Sequence, residues 1–154
     1  MPRAIVESTI REVEPLRESD TVEDATKRVL EAGLPALPVV DERGRFAGIF
    51  GEREFMTALF PGWIRTVGWS AMLTRSLDDV IQQREECRTE AIDRYLTRDH
   101  VLVDEDFADA HIAEIFLHHR VLIVPVARNG EVYGVITRSD FFRVFAERFV
   151  AAGE

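Results

Sequence analysis

The residues best placed to do chemistry lie in the run Thr137-Arg138-Ser139-Asp140, where a strand pattern gives way to a helical one. A carboxylate at the start of a helix can accept both hydroxyls of a ribose as charge-assisted hydrogen bonds. A hydroxyl three residues earlier, beside free helix amides, suits a phosphate. The same spacing is also a capping box, with Thr137 at the N-cap and Asp140 at N3, which satisfies orphan amides without any ligand. Both readings stand at this point. The four histidines, His100, His111, His118 and His119, give no metal-ligand spacing. His111 and His118 lie seven apart on one helix, two turns distant. Cys87 sits in the charged run Gln82-Gln83-Arg84-Glu85-Glu86-Cys87-Arg88 with no neighbouring base to activate it. No Gly-x-Ser-x-Gly, phosphate-binding P-loop or HExxH motif occurs. These absences lead us to expect a protein that is not an enzyme and carries no cofactor.

The elements that would position these residues repeat along the chain. Pro38-Val39-Val40-Asp41-Glu42-Arg43-Gly44-Arg45-Phe46-Ala47-Gly48-Ile49-Phe50 reads as strand, turn, strand, and so does Pro125-Val126-Ala127-Arg128-Asn129-Gly130-Glu131-Val132-Tyr133-Gly134-Val135-Ile136. Asn129-Gly130 is a strong hairpin signal and Arg43-Gly44 a weaker one. Upstream, Val22, Ala25, Val29 and Leu30 recur at helical spacing, with Gly33 where a C-terminal cap belongs. Phe107 to His119 repeats that pattern in a helix expected to be slightly longer. A further apolar helix begins near Glu54 in one copy and near Asp140 in the other. Each copy therefore reads β-α-β-β-α. The fold class is α/β (α+β), two tandem repeats packed sheet to sheet. We expect a first repeat over residues 1–60, a helical insert over 61–90 and a second repeat over 91–154. In the insert, Ser76-Leu77-Asp78-Asp79 looks like a capping box, and Trp63, Ile64, Val67 and Trp69 are expected to pack on the module.

Composition bounds the partners. The chain has 154 residues, 46% of them hydrophobic and 31% charged, with a formal net charge of −9. That balance disfavours nucleic acid and anionic membrane surfaces, which reward a basic face. The most apolar run, Val121 to Ala127, is interrupted by Pro125 and is too short to span a bilayer. The start, Met-Pro-Arg-Ala-Ile-Val-Glu, carries no apolar segment of a secretory signal. One cysteine builds no disulfide framework. A cytoplasmic protein is expected.

Together, these motifs resemble the cystathionine β-synthase (CBS) domain, a pair of which is called a Bateman module. His119-Arg120-Val121-Leu122-Ile123-Val124-Pro125-Val126 and Gly134-Val135-Ile136-Thr137-Arg138-Ser139-Asp140 carry the resemblance in the second copy, opened by Ile92-Asp93-Arg94-Tyr95-Leu96-Thr97. Pro38-Val39-Val40-Asp41 and Gly48-Ile49 carry it in the first. The resemblance implies a regulatory module that binds an adenosine-containing ligand (AMP, ADP, ATP or S-adenosylmethionine) between its repeats and acts on an effector protein in trans. It implies a site made by Thr137, Arg138 and Asp140, by Leu122, Ile123, Val124 and Pro125 against the adenine, and by Thr97. Gly51 and Glu54 stand where the second copy has Thr137 and Asp140, so at most one good site per chain is expected, with Glu54 contributing little. A scaffold that keeps the fold but binds no ligand is the alternative. The last helices are apolar around much of their circumference, and the resemblance implies a homodimer through Phe55, Leu59, Phe141, Phe145 and Phe149.

Overall fold

The computed structural model describes residues 7–60 and 76–154. The opening chain supplies two short strands, β1 (Arg11–Glu12) and β2 (Leu16–Arg17), before the first helix, α1 (Val22–Ala32). Thr21 caps α1 by accepting a hydrogen bond from the Asp24 amide, and Gly33 ends it in the left-handed conformation. Strands β3 (Ala36–Val40) and β4 (Phe46–Gly51) form an antiparallel hairpin, and α2 (Glu52–Leu59) follows directly. The Asp41 carboxylate closes the hairpin turn by accepting from the amides of Arg43 and Arg45.

The second copy repeats this order with β5 (Val103–Asp104), α4 (Asp109–His118), β6 (Ile123–Arg128), β7 (Glu131–Thr137) and α5 (Arg138–Ala152). Its turn is Asn129-Gly130, with both residues at positive φ, as a tight two-residue hairpin requires. α4 is one residue shorter than α1, against the sequence expectation that it would be longer. His119 falls into extended backbone at its end, and Ala108 at its start offers no side-chain cap.

One feature of the topology matters most for the site. β2, β3 and β4 form a three-stranded sheet, but β1 leaves the first copy and pairs antiparallel with β7 in the four-stranded sheet β1-β7-β6-β5. The second copy returns the exchange: Thr97 bridges antiparallel to Ile49 of β4, with Ile49 donating to the Thr97 carbonyl at 3.0 Å and Thr97 donating back at 3.2 Å. Each copy's opening segment thus lies on the other copy's hairpin. Two glycines permit this crossing. A Cβ on Gly48 would come within 2.5 Å of the Thr97 carbonyl oxygen, and one on Gly134 within 2.9 Å of the Arg11 carbonyl oxygen. The Gly-Ile and Gly-Val pairs of the two hairpins are the points where a foreign backbone passes.

The sheets meet face to face. Ile123 and Val135 of the second copy are buried in the same cluster as Leu37, Val39, Ile49 and Phe50 of the first. Burying such side chains contributes roughly 1.5–3 kcal/mol each, so the repeats stabilise one another. A second cluster joins Val124, Val126 and Ile136 to Ile112, Ile115 and Phe141 beneath α4 and α5. Of the insert, helix α3 (Leu77–Gln83) carries the expected capping box between Ser76 and Asp79. Its Val80, and Cys87 in the 3-10 turn that follows, are buried against the first copy. Arg84 ties this stretch down by donating to the Ala58 carbonyl and the Tyr95 hydroxyl. Trp63, Ile64, Val67 and Trp69 lie outside the described residues.

Candidate functional site

The boundary between the repeats opens as a groove with two ends that share Pro35, Glu52 and Leu122 as walls. The smaller end, about 290 Å³, is lined by Arg11, Gly33, Leu34, Thr137, Arg138, Ser139 and Asp140. The larger, about 710 Å³, is lined by Glu54, Thr97, His100, Arg53, Arg120 and Ile123, among others. Both ends follow from one local rule. A strand runs straight into a helix, so the first-turn side chains of α5 and α2 face the groove beside helix-start amides, of which that of Arg138 donates to the Leu122 carbonyl and that of Glu52 to the Pro35 carbonyl.

At the smaller end the Thr137 hydroxyl accepts a hydrogen bond from the Asp140 amide at 3.0 Å, the hydroxyl half of the expected capping box. The carboxylate half does not form. Asp140 turns instead to Arg11, whose Nε donates to Oδ2 at 2.7 Å and whose Nη2 donates to Oδ1 at 3.1 Å. This is a two-pronged guanidinium–carboxylate pair, the strongest form of such contact. Hydrogen bonding from Arg11 holds the Asp140 carboxyl below its ordinary range. Its partial burial opposes that shift, and the charge of Arg11 and the hydrogen bond with Thr137 assist it.

The larger end is the mirror case. Gly51 has no hydroxyl to offer, yet its amide donates to Glu54 Oε1 at 2.9 Å. The Thr97 hydroxyl donates to Glu54 Oε2 at 2.5 Å. Glu54 is therefore buried and held by two donors, a firmer role than the sequence reading gave it. The registers make Thr97 and Arg11 equivalent: Thr97 pairs with Ile49 after Gly48, and Arg11 pairs with Val135 after Gly134. Each presents its side chain to the first-turn carboxylate of the other repeat. Close by, His100 donates from Nδ1 to the Val101 carbonyl at 3.0 Å while its buried Nε2 has no hydrogen-bond partner among the described residues. Burial pushes the His100 pKa down, so the ring is neutral at pH 7.

The structure divides the residues that the sequence grouped together. Thr137, Arg138, Asp140 and Leu122 share one end. Thr97 does not reach it; Thr97 belongs with Glu54, and Ile123 lines that larger end too. Val124 and Pro125 line neither end and are buried. Val124 points to the opposite side of the strand from Ile123, into the core beneath α4 and α5, and Pro125 lies on Ile123's own face farther along the strand. Sequence reasoning missed Arg11. Aligning the opening segments would have shown it, since Arg11 precedes Pro38 at nearly the distance by which Thr97 precedes Pro125. Among the described residues no group of His, Cys, Asp and Glu could hold a metal ion. No described helix is long and apolar enough to cross a membrane.

The exposed surface divides the residues expected at a dimer contact. Leu59 and Phe141 are buried in their own cores, and Phe55 packs partly on its own. Phe145 and Phe149, by contrast, are 51% and 78% exposed on α5, beside exposed Phe142 and Val150.

A crossed pair of β-α-β-β-α repeats with a groove between them is the architecture of paired CBS domains, and the comparisons agree. The CBS domain family matches at residues 6–61 and 91–147; the chain belongs to this family and carries two copies of the domain. The chain is similar to an uncharacterized 17.7 kDa protein of Acidianus ambivalens, 24% identical over 128 residues, and to an uncharacterized protein of Methanocaldococcus jannaschii, 22% identical over 129 residues. It spans 63% and 38% of the lengths of these curated relatives, and they span 82% and 84% of it. Among solved structures, the CBS domain of a CBS domain containing membrane protein from Sphaerobacter thermophilus matches with a TM-score of 0.71 at 27% identity, covering 93% of this chain and 88% of that one. A complex of CBSX2 with AMP matches at a TM-score of 0.65 and 16% identity, covering 92% and 96%; CBSX2 itself is a CBS-pair protein from Arabidopsis thaliana. At that identity the likeness is one of fold.

Proposed function

We propose that this chain is a regulatory module of the cytoplasm that binds an adenine nucleotide in the groove between its repeats and alters a partner protein in trans. The observation that carries the reading is the placement of Thr137 and Asp140. A buried hydroxyl and a buried carboxylate stand on the first turn of α5, facing a groove whose opposite wall comes from the other repeat. A ligand lying there touches both repeats, so occupancy is coupled to their packing. The CBSX2 structure, of the same fold, holds AMP, which makes AMP the first ligand to test. The module works as a homodimer, in which α5 covers Phe145 and Phe149 against a second copy.

The test is a thermal-shift and calorimetric titration of the chain with AMP, ADP, ATP and S-adenosylmethionine. A ligand at 100 times its Kd stabilises by about 2.7 kcal/mol, which raises Tm by about 5–11 °C at this chain length. No shift and no heat with any of them at millimolar concentration ends the reading. A specific observation favours a second one in that case: Asp140 is already satisfied by Arg11 without a ligand, as a purely structural scaffold would need.

A further inference from the structure

The geometry points to Arg11 as the residue that sets the charge of the ligand: the Asp140 end of the groove takes an adenine ligand of net negative charge that carries a phosphate, and refuses both the neutral nucleoside and a sulfonium ligand of net positive charge. The inference rests on the nucleotide reading above and goes beyond it, because Arg11 enters from the opposite repeat and has no part in the Thr137–Asp140 motif.

Three facts support it. First, Arg11 occupies both oxygens of Asp140, so a ribose that wants the carboxylate must displace a guanidinium. A neutral nucleoside exchanges two bonds between opposite charges for two bonds from neutral hydroxyls to the carboxylate and leaves the cation nothing in return. Second, the Arg11 side chain is half exposed, whereas the Asp140 side chain is nearly buried. Arg11 is therefore the member free to swing while Asp140 stays. A ligand that carries a phosphate gives the displaced guanidinium a new anion, and the ribose inherits the carboxylate. Third, the equivalent place at the other end of the groove holds Thr97, a neutral hydroxyl on Glu54. The pseudo-symmetric partner shows what the position does without a charge. The end at Asp140 also contains Arg138, which makes no side-chain ion pair among the described residues, and Glu52, which is anionic. Arg138 offsets Glu52 and Arg11 offsets Asp140, with Arg143 as a further cation 3.7 Å from Asp140 Oδ1, so a guanidinium released from Asp140 is left to meet the charge of the ligand. S-adenosylmethionine, whose sulfonium and ammonium outweigh its single carboxylate, would bring net positive charge to an end that already holds Arg11, Arg138 and Arg143.

The experiment uses the whole chain and the variant Arg11→Thr, which restores the hydroxyl found at Thr97, with Arg11→Gln as a second variant of nearer size. Calorimetry with AMP, adenosine and S-adenosylmethionine reads the result, and Tm without ligand confirms folding. Wild type should bind AMP at least about ten-fold more tightly than adenosine or S-adenosylmethionine. Both variants should lose about ten-fold or more in AMP affinity while gaining affinity for adenosine, so that the preference collapses. Equal affinities of wild type for AMP and adenosine, unchanged in the variants, would overturn the role of Arg11 and leave the nucleotide reading intact. Tight binding of S-adenosylmethionine to wild type would also overturn it. Failure of all three ligands with all three proteins would remove both inferences together.

Discussion

Replacing Glu54 with alanine removes the carboxylate that two donors share, one from each repeat. The Gly51 amide is buried at the start of α2 and donates to Oε1 at 2.9 Å. The Thr97 hydroxyl reaches Oε2 from the other repeat at 2.5 Å. A hydrogen bond to a charged group contributes about 1.5–3 kcal/mol, and two that share one carboxylate do not add fully. A loss of about 3 kcal/mol follows, or about 6–12 °C in Tm for a chain of this length. Thr97→Val removes one of the two bonds and should cost about half as much. The decisive assay is the double-mutant cycle by chemical denaturation: Glu54→Ala and Thr97→Val together should cost at least about 1 kcal/mol less than the sum of the singles. Additive singles, or a Glu54→Ala protein that melts within about 1 °C of wild type, would refute the idea that this pair fastens one repeat to the other. Ligand affinity at the Asp140 end should change little in the same variant, since Glu54 does not line it.

Other outcomes follow from the same geometry. Gly48→Ala should destabilise strongly, by more than about 2 kcal/mol, because its Cβ meets the Thr97 carbonyl at 2.5 Å and its φ of +149° disfavours a side chain; denaturant midpoints measure it. Because Arg11 lowers the Asp140 pKa, the pair stabilises the fold above the ordinary carboxylate value, and that stability disappears as pH falls through the lowered one. Melts from about pH 5 to about pH 2.5 should therefore show a shallower acid loss in Asp140→Asn than in wild type. Light scattering at micromolar concentration should give about twice the 17.6 kDa of one chain, and Phe149→Glu should return the monomer by burying an unpaired charge at the contact; a monomeric wild type would rule out the dimer. Burial raises the Cys87 pKa and hides its sulfur, so a thiol reagent at neutral pH should label it quickly only after denaturation.

The sequence by itself determined most of what depends on neighbours along the chain, the length of α4 and the carboxylate half of the Thr137–Asp140 cap excepted. Apolar period and cap placed α1, from Thr21 to Gly33. The turn chemistry of Asn129-Gly130 placed the second hairpin, and Thr137 with Asp140 marked the start of α5. These are local events, in which each side chain answers to an amide or a face a few residues away. The internal repeat then disclosed the pairing of two like units, since neither could bury its sheet alone.

What only the tertiary structure decided is which repeat serves which carboxylate. Arg11 and Asp140 are 129 residues apart, and Thr97 and Glu54 are 43 apart; no periodicity joins them. Their meeting depends on the exchange of opening strands, with β1 crossing to β7 and Thr97 crossing to β4. That crossing moved Thr97 away from the site where the motif placed it and put a cation in its stead. It also turned Glu54 from an apparent departure into a held group. Phe141 and Leu59 read like Phe145 and Phe149 in an apolar helix, and only packing could separate the buried pair from the exposed one. Local pattern specifies an element and its faces, whereas the partner of a face is set by the global arrangement that buries the most apolar surface with every polar group satisfied.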